Sequence, residues 1–217
     1  MISLTEENYL KSIYHLSNAG AESVTTNAIA ESLHTKAASV TDMIKKLSVK
    51  DYIKYEKYYG VNITAKGKTV ALGVIRKHRL WETFLVQNLD FAWDEVHEVA
   101  EQLEHIQSHR LIDKLEEFLG FPKVDPHGDP IPDRNGKFKS TTQMAVCFAK
   151  PGIELAIVAV KDSDSQLLKL LDKIGAHPGK KIKVLNREEY DGSMEVIIGG
   201  QQHFISKGVS ENILVST

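Results

Sequence analysis

One cysteine, Cys147, stands in 217 residues, so no internal disulfide can form and a cysteine-built zinc site is disfavoured. No apolar run reaches the roughly 18 residues of a membrane-spanning helix. The opening "MISLTEENYLKSIYHL" is polar and amphipathic and lacks the apolar stretch of a secretion signal. These absences lead us to expect a soluble cytoplasmic protein with no membrane partner. No internal repeat is found. Length and a hydrophobic content of 42% suit one large domain or a few small ones.

Charge is present but unevenly spread. Residues 1–80 carry 12 Lys/Arg against 7 Asp/Glu, residues 81–130 carry 3 against 12, and residues 131–217 carry 12 against 10. A basic head on an acidic middle points to an anionic partner first and a cation second, unless both are merely solvated faces.

Apolar spacing predicts helices over 4–17, 25–33, 37–51, 65–89, 93–107 and 108–120, with Thr25 or Thr26 and Asp94 as caps. Between the third and fourth, "YIKYEKYYGVNIT" alternates around Gly60 and reads as a small hairpin. Residues 121–138 hold Pro122, Pro126, Pro130 and Pro132 with Gly128 and Gly136, and form a linker or an ordered loop. Beyond them, β-rich runs at 152–161, 180–189, 193–206 and 212–217, with one helix at 165–175, describe a small barrel-like domain. The fold class is mainly α with small β. We expect a winged helix-turn-helix over 1–64, a helical domain over 65–135 and an SH3-like β-barrel domain over 136–217.

Two short helices followed by a hairpin place the second helix where it can enter a DNA major groove. Its outward positions are Lys36, Ala37, Ala38, Ser39, Thr41, Asp42, Lys45 and Lys46. Small residues permit close approach, hydroxyls bond bases or phosphates, and lysines suit phosphates. The wing offers Lys54, Lys57 and Tyr58. The segment is short of arginine, which limits bidentate guanine readout. A helix pair plus hairpin can also be only a packing unit; the basic face favours DNA.

"VHEVAEQLEHIQSH" (96–109) carries a second line beside its apolar stripe: His97, Glu101, Glu104 and His105. Alone, such a line reads as solvated i,i+4 pairs. On the preceding helix, however, His78 and Glu82 stand four apart, and a short connection makes the two helices antiparallel neighbours. His78 and Glu82 can then meet His97, with Glu101, Glu104 and His105 forming another cluster. Imidazole and carboxylate without sulfur suit Mn²⁺ or Fe²⁺, with Zn²⁺ and Co²⁺ as surrogates.

"NYLKSIYHL", "IAESLHTKAASVTDMIKKL", "YGVNITAKGK", "RKHRLWETFL", "VHEVAEQLEHIQS" and "DPHGDPIP" together resemble the diphtheria toxin repressor family of metal-dependent bacterial regulators, from about residue 4 to 135 and more loosely beyond. The resemblance implies a homodimer built on the 65–120 helices, with each winged helix on half of a pseudo-palindromic operator. It implies a primary metal site at Glu101, Glu104 and His105 plus Asn8, and an ancillary site at His78, Glu82 and His97. Glu101 stands where the iron-type branch has cysteine, so the site resembles the manganese-type branch. Asn8 stands where relatives have Met or Asp. Lys11 replaces a Glu of the two-domain manganese regulators and argues against their two-metal cluster. Asp125 and His127 lie where some manganese-type relatives place ligands, Asx-turn bonding being the other role open to that loop. Asp162, Asp164 and Gln166 are further candidates. The mechanism implied is metal tying the first helix to the 94–107 helix, clamping the DNA-binding head and so repressing metal-uptake genes. A metal-independent winged-helix regulator is the alternative. A metallohydrolase is weaker, because no nucleophile arrangement is evident.

Overall fold

The computed structural model describes residues 2–56, 58–138, 142–161 and 164–216. They gather into two compact units. One comprises Met1–His78, Leu103–Ser108 and Pro132–Lys137; the other comprises Arg79–Gln102, His109–Ile131 and Phe138–Thr217.

In the first unit, α1 (Leu4–Leu16) starts in a capping box. The Ser3 hydroxyl accepts from the Glu6 amide, and the Glu6 carboxylate accepts from the Ser3 amide. Helix α2 (Thr26–Ser32) is capped by Thr25, and α3 (Ala37–Val49) follows a turn in which His34 adopts φ 47°. Strands β1 (Ile53–Glu56) and β2 (Gly60–Ile63) pair antiparallel with Ile53 opposite Ile63, and Val24 bridges to Val61 on the other side. Leu10, Ile13, Ile29, Val40, Ile44, Leu47, Ile53 and Val61 are buried in one core. The arrangement is a winged helix-turn-helix. Helix α4 (Ala65–Leu89) begins directly after the wing. A Cβ on Gly67 would lie 2.1 Å from the Tyr52 carbonyl oxygen, so only glycine lets α4 rest against the base of the wing.

The second unit contains the rest of α4, α5 (Val96–Leu103) as far as Gln102, α6 (His109–Phe118) and a six-stranded antiparallel sheet. The strands are β3 (Gln143–Ala145), β4 (Glu154–Val160), β5 (Lys181–Arg187), β6 (Met194–Ile198), β7 (Gln201–Ile205) and β8 (Ile213–Ser216), in the order β3-β8-β4-β5-β6-β7. Irregularities between Ile157 and Ala159 and between Val184 and Asn186 bend β4 and β5. Helices α7 (Ser165–Lys173) and α8 (Lys207–Asn212) flank it. Leu168, Leu171, Ile182, Val184, Val196, Ile213 and Val215 fill the core, joined by Trp93.

Three expectations change. The run at 193–206 is two strands, because Gly199 and Gly200 both adopt positive φ and close a two-residue hairpin. The helix expected over 93–107 is only Val96–Leu103; the chain leaves the helix just before Glu104, which turns inward to partners described below. Strand β3 and helix α8 were not foreseen: "KGVSEN" has no apolar face of its own, and its first turn depends on Ser206, which caps Val209.

Candidate metal centre and nucleic-acid interface

All eight outward positions expected on the second helix are exposed: Lys36, Ala37, Ala38, Ser39, Thr41, Asp42, Lys45 and Lys46. The Thr41 hydroxyl donates to the Ala37 carbonyl at 2.9 Å, leaving its oxygen free to accept. Lys45 leans on Asp42 at 3.2 Å, an exposed pair of little strength. Lys46 and Lys50 reach the buried Glu6 carboxylate at 3.6 and 2.6 Å, which fixes the C-terminal end of α3 against the start of α1. Lys50 was not singled out in the sequence. On the wing, Lys54 and Tyr58 are exposed, and Lys57 lies outside the described residues.

Of the residues expected at the primary site, Glu104 and His105 stay together, with His105 Nε2 3.7 Å from Glu104 Oε1, whereas Asn8 and Glu101 lie exposed. Asn8 is exposed on α1. Its neighbour Glu7 is buried instead, and its carboxylate takes His105 Nδ1 at 2.7 Å and Gln107 Nε2 at 2.9 Å. One residue along a helix is a rotation of about 100°, enough to exchange an inward for an outward side chain. Glu104 is fully buried and receives the Lys11 ammonium on both oxygens, at 2.8 and 2.9 Å, with His78 Nδ1 at 2.6 Å from Oε2. Burial pushes the Glu104 carboxyl up, but the His78 hydrogen bond and the Lys11 charge outweigh it and hold it below the ordinary value. Glu101 is half-exposed and meets His97 Nε2 at 3.5 Å.

A second cluster is built from α4 and the proline-rich loop. Glu82, Asp125 and His127 are all buried, and each offers a ligand atom within 4.8 Å of the others. His127 Nε2 lies 2.7 Å from the Trp93 carbonyl oxygen, which can only accept. Nε2 therefore carries the hydrogen, and Nδ1 is turned toward Glu82 at 3.8 Å and Asp125 at 4.0 Å. Two carboxylates and an imidazole lone pair converge on one point, which suits a proton or a metal cation. A backbone carbonyl fixing the far nitrogen is the usual outer support of a metal-binding histidine. Burial, then the charges of Glu82 and Asp129, raise Asp125 to about 7 against the opposing pull of Arg79. His127 is also raised: burial lowers it, but the Glu82 contact outweighs burial.

The loop is ordered by Asp125 itself. Its Oδ1 accepts from the His127 and Asp129 amides at 2.9 and 3.0 Å, the Asx-turn role left open from the sequence. Arg79 braces the other side, 3.5 Å from Asp125 Oδ2 and 3.2 Å from Asp129, a contact the sequence reading missed. His97 Nδ1 stands 3.3 Å from Glu82. Hydrogen bonds to Glu101 and Glu82 outweigh its burial and raise it to about 9. Of the C-terminal candidates, Asp164 is exposed and caps α7, accepting from the Gln166 and Leu167 amides. Gln166 is exposed, and Asp162 lies outside the described residues.

A winged helix-turn-helix with an exposed lysine-bearing helix, followed in the same chain by a buried carboxylate–imidazole cluster, defines the class of metal-responsive DNA-binding proteins. Known proteins narrow the class. Residues 1–61 match the family described as "Iron dependent repressor, N-terminal DNA binding domain", residues 64–133 "Iron dependent repressor, metal binding and dimerisation domain", and residues 144–217 "FeoA domain". A solved manganese-dependent transcriptional repressor in complex with manganese is 32% identical with a TM-score of 0.87, over 98% of this chain and 99% of that one. The diphtheria toxin repressor of Corynebacterium jeikeium (strain K411) is 30% identical over 128 residues, 59% of this chain and 53% of its own length. A probable metal transport system membrane protein of Chlamydia trachomatis serovar D is 43% identical over 76 residues, 35% of this chain and 17% of that protein. The chain thus spans about half or less of these two curated relatives. It belongs to the diphtheria toxin repressor family of metal-dependent transcriptional regulators, and that family is not one of enzymes. No helix among the described residues is long and apolar enough to cross a membrane.

Proposed function

We propose that the protein is a metal-activated transcriptional repressor of manganese- or iron-uptake genes, acting in the cytoplasm as a homodimer on a pseudo-palindromic operator. Residues 1–64 read DNA, 65–135 bind metal and dimerise, and 136–217 form the SH3-like domain. The metal ligands are Glu82, Asp125 and His127, with His97 orienting Glu82. The observation that carries this reading is His127 Nδ1, turned toward two buried carboxylates by the Trp93 carbonyl. The donor set is hard and free of sulfur, which suits Mn²⁺ or Fe²⁺ and accepts Zn²⁺ or Co²⁺ as surrogates. Bound there, a divalent cation supplies the positive charge that crowded buried carboxylates need. Glu82 lies on α4, the same unbroken helix that starts at the wing, and His127 is anchored to β4 through its carbonyl, which accepts from the Val160 amide at 2.8 Å. Occupancy can favour the DNA-competent state only through higher metal affinity in that state.

Operator affinity measured against free Mn²⁺ and Fe²⁺, with equilibrium dialysis of both ions, tests the proposal. Operator binding that ignores both ions would leave the metal-independent regulator standing. Protons compete for the same donors. Asp125 is raised to about 7, so its carboxyl stays protonated below that pH and ionises above it. Mn²⁺ affinity should therefore climb between about pH 6 and pH 8 and then flatten. A flat dialysis curve across that range would remove Asp125 from the ligand set.

Lys36→Ala and Lys45→Ala should weaken binding to all DNA sequences alike and each reduce the salt slope by about 1, as loss of one phosphate contact does. Ser39→Ala should change base preference instead. Unaltered operator binding in all three would mean that α3 is not the reading helix.

A further inference from the structure

We infer that the Lys11 ammonium takes the place of a metal ion at Glu104, so that α1 is bound to the 104–107 turn in every metal condition and this cluster holds no ion in the native chain. The inference concerns a different set of residues from the proposed metal ligands and stands whether or not those ligands bind metal.

Glu7 and Glu104 are two buried carboxylates. Lys11 meets Glu104 through both oxygens, and Lys77 approaches Glu7 at 3.7 Å. Two negative charges thus already face two ammonium groups, both mostly removed from solvent. A divalent cation brought among them would add an excess charge at low dielectric, or would have to expel a lysine from its partner.

Geometry agrees with charge. The remaining donors already have partners in the same cluster: His78 Nδ1 is on Glu104, and His105 Nδ1 is on Glu7 with Nε2 3.7 Å from Glu104. A protonated lysine has three donors and no lone pair, so it cannot join a metal's ligand shell. It can only compete with the metal for the carboxylate. It is also covalently tethered, so its occupancy does not depend on concentration. The link between α1 and the turn is therefore permanent, and the response to metal rests on other residues.

The test uses the full-length protein and Mn²⁺ itself, in a Glu82→Ala background, which removes the carboxylate shared by the other groups able to hold a cation. With Lys11 intact, equilibrium dialysis should find no tightly bound Mn²⁺. Lys11→Gln, which removes the charge and shortens the side chain by one bond, should create a site for one Mn²⁺ per chain. Adding Glu104→Gln should abolish that site. Without metal, Lys11→Gln should melt several degrees below the Lys11 protein and recover most of the loss in millimolar Mn²⁺. Lys11→Arg, which retains charge, should bind no ion and melt near the parent. Mn²⁺ bound by Glu82→Ala with Lys11 intact, and lost on Glu104→Gln, would overturn the inference. So would a Lys11→Gln protein that gains no Mn²⁺. Failure of the metal-repressor reading would appear elsewhere, as Mn²⁺-independent operator binding by the wild-type protein.

Discussion

Asp125→Asn is expected to raise the stability of the metal-free protein above neutral pH while removing tight Mn²⁺ binding. The two effects share one cause. Asp125 is 5% exposed and raised to about 7 by burial, with Glu82 and Asp129 adding to it. A carboxyl whose folded pKa lies above its unfolded one contributes stability that is fully present below the unfolded value near 3.8 and is lost as pH rises through about 7. Asparagine does not titrate, so the difference between variant and wild type should grow across that window and then level. The amide oxygen can still accept from the His127 and Asp129 amides, so the loop keeps its turn. Arg79 loses half of its charge pairing, which trims the gain but leaves it with Asp129. Metal binding moves the other way. Losing a charged ligand should weaken Mn²⁺ by a factor on the order of 100 or more, beyond the 10–100-fold typical of outer-shell changes. Urea unfolding of metal-free protein at several pH values, with Mn²⁺ dialysis at pH 7.5, measures both. A variant less stable than wild type at pH 8, or one that keeps its Mn²⁺ affinity, would contradict the role given to Asp125.

Sequence and structure agree where local rules decide. Thr25 caps α2, apolar residues recur along α1 and α3, and the alternating run around Gly60 makes the wing. Each of these signals is complete within a dozen residues. The proposed metal cluster is less legible because its members depend on tertiary aim. His97, Glu101 and His105 form one line only if the helix continues through 105, and it stops at Leu103. The cause is distant in sequence: Glu104 is drawn to Lys11, 93 residues away, and to His78, 26 residues away. Likewise Asn8 and Glu7 differ by one step on α1, and only the packing of that helix decides which faces inward. From the sequence Lys11 reads as a residue unable to ligate, and its contact with Glu104 needs a partner that no spacing rule supplies. Asp125 and His127 entered through resemblance rather than periodicity, since a loop rich in proline and glycine has none.

That loop rests on one glycine, and Gly128→Ala should release it. Gly128 has φ +89°, and a Cβ built on it would lie 2.0 Å from the Val158 carbonyl oxygen and 2.5 Å from the Ala159 Cα. Both are backbone atoms of β4, so no side-chain rotation can relieve the overlap. The positive φ alone costs an L-residue about 1–3 kcal/mol. Separating the loop from β4 would add the hydrogen bond from the Val160 amide to the His127 carbonyl, worth about 1 kcal/mol. The larger consequence is positional. Asp125 and His127 precede the glycine within three residues, so lifting it from β4 draws both away from Glu82. Gly175→Ala supplies the comparison: its φ is +68°, but nothing lies within 4 Å of its added Cβ. Both variants pay for backbone strain, and only Gly128→Ala collides. It should melt well below Gly175→Ala and lose tight Mn²⁺ binding, while Gly175→Ala keeps it. Thermal unfolding and Mn²⁺ dialysis on the pair decide the matter. Equal melting temperatures with equal Mn²⁺ affinities would show that the close seat of the loop on β4 does not hold the metal ligands in place.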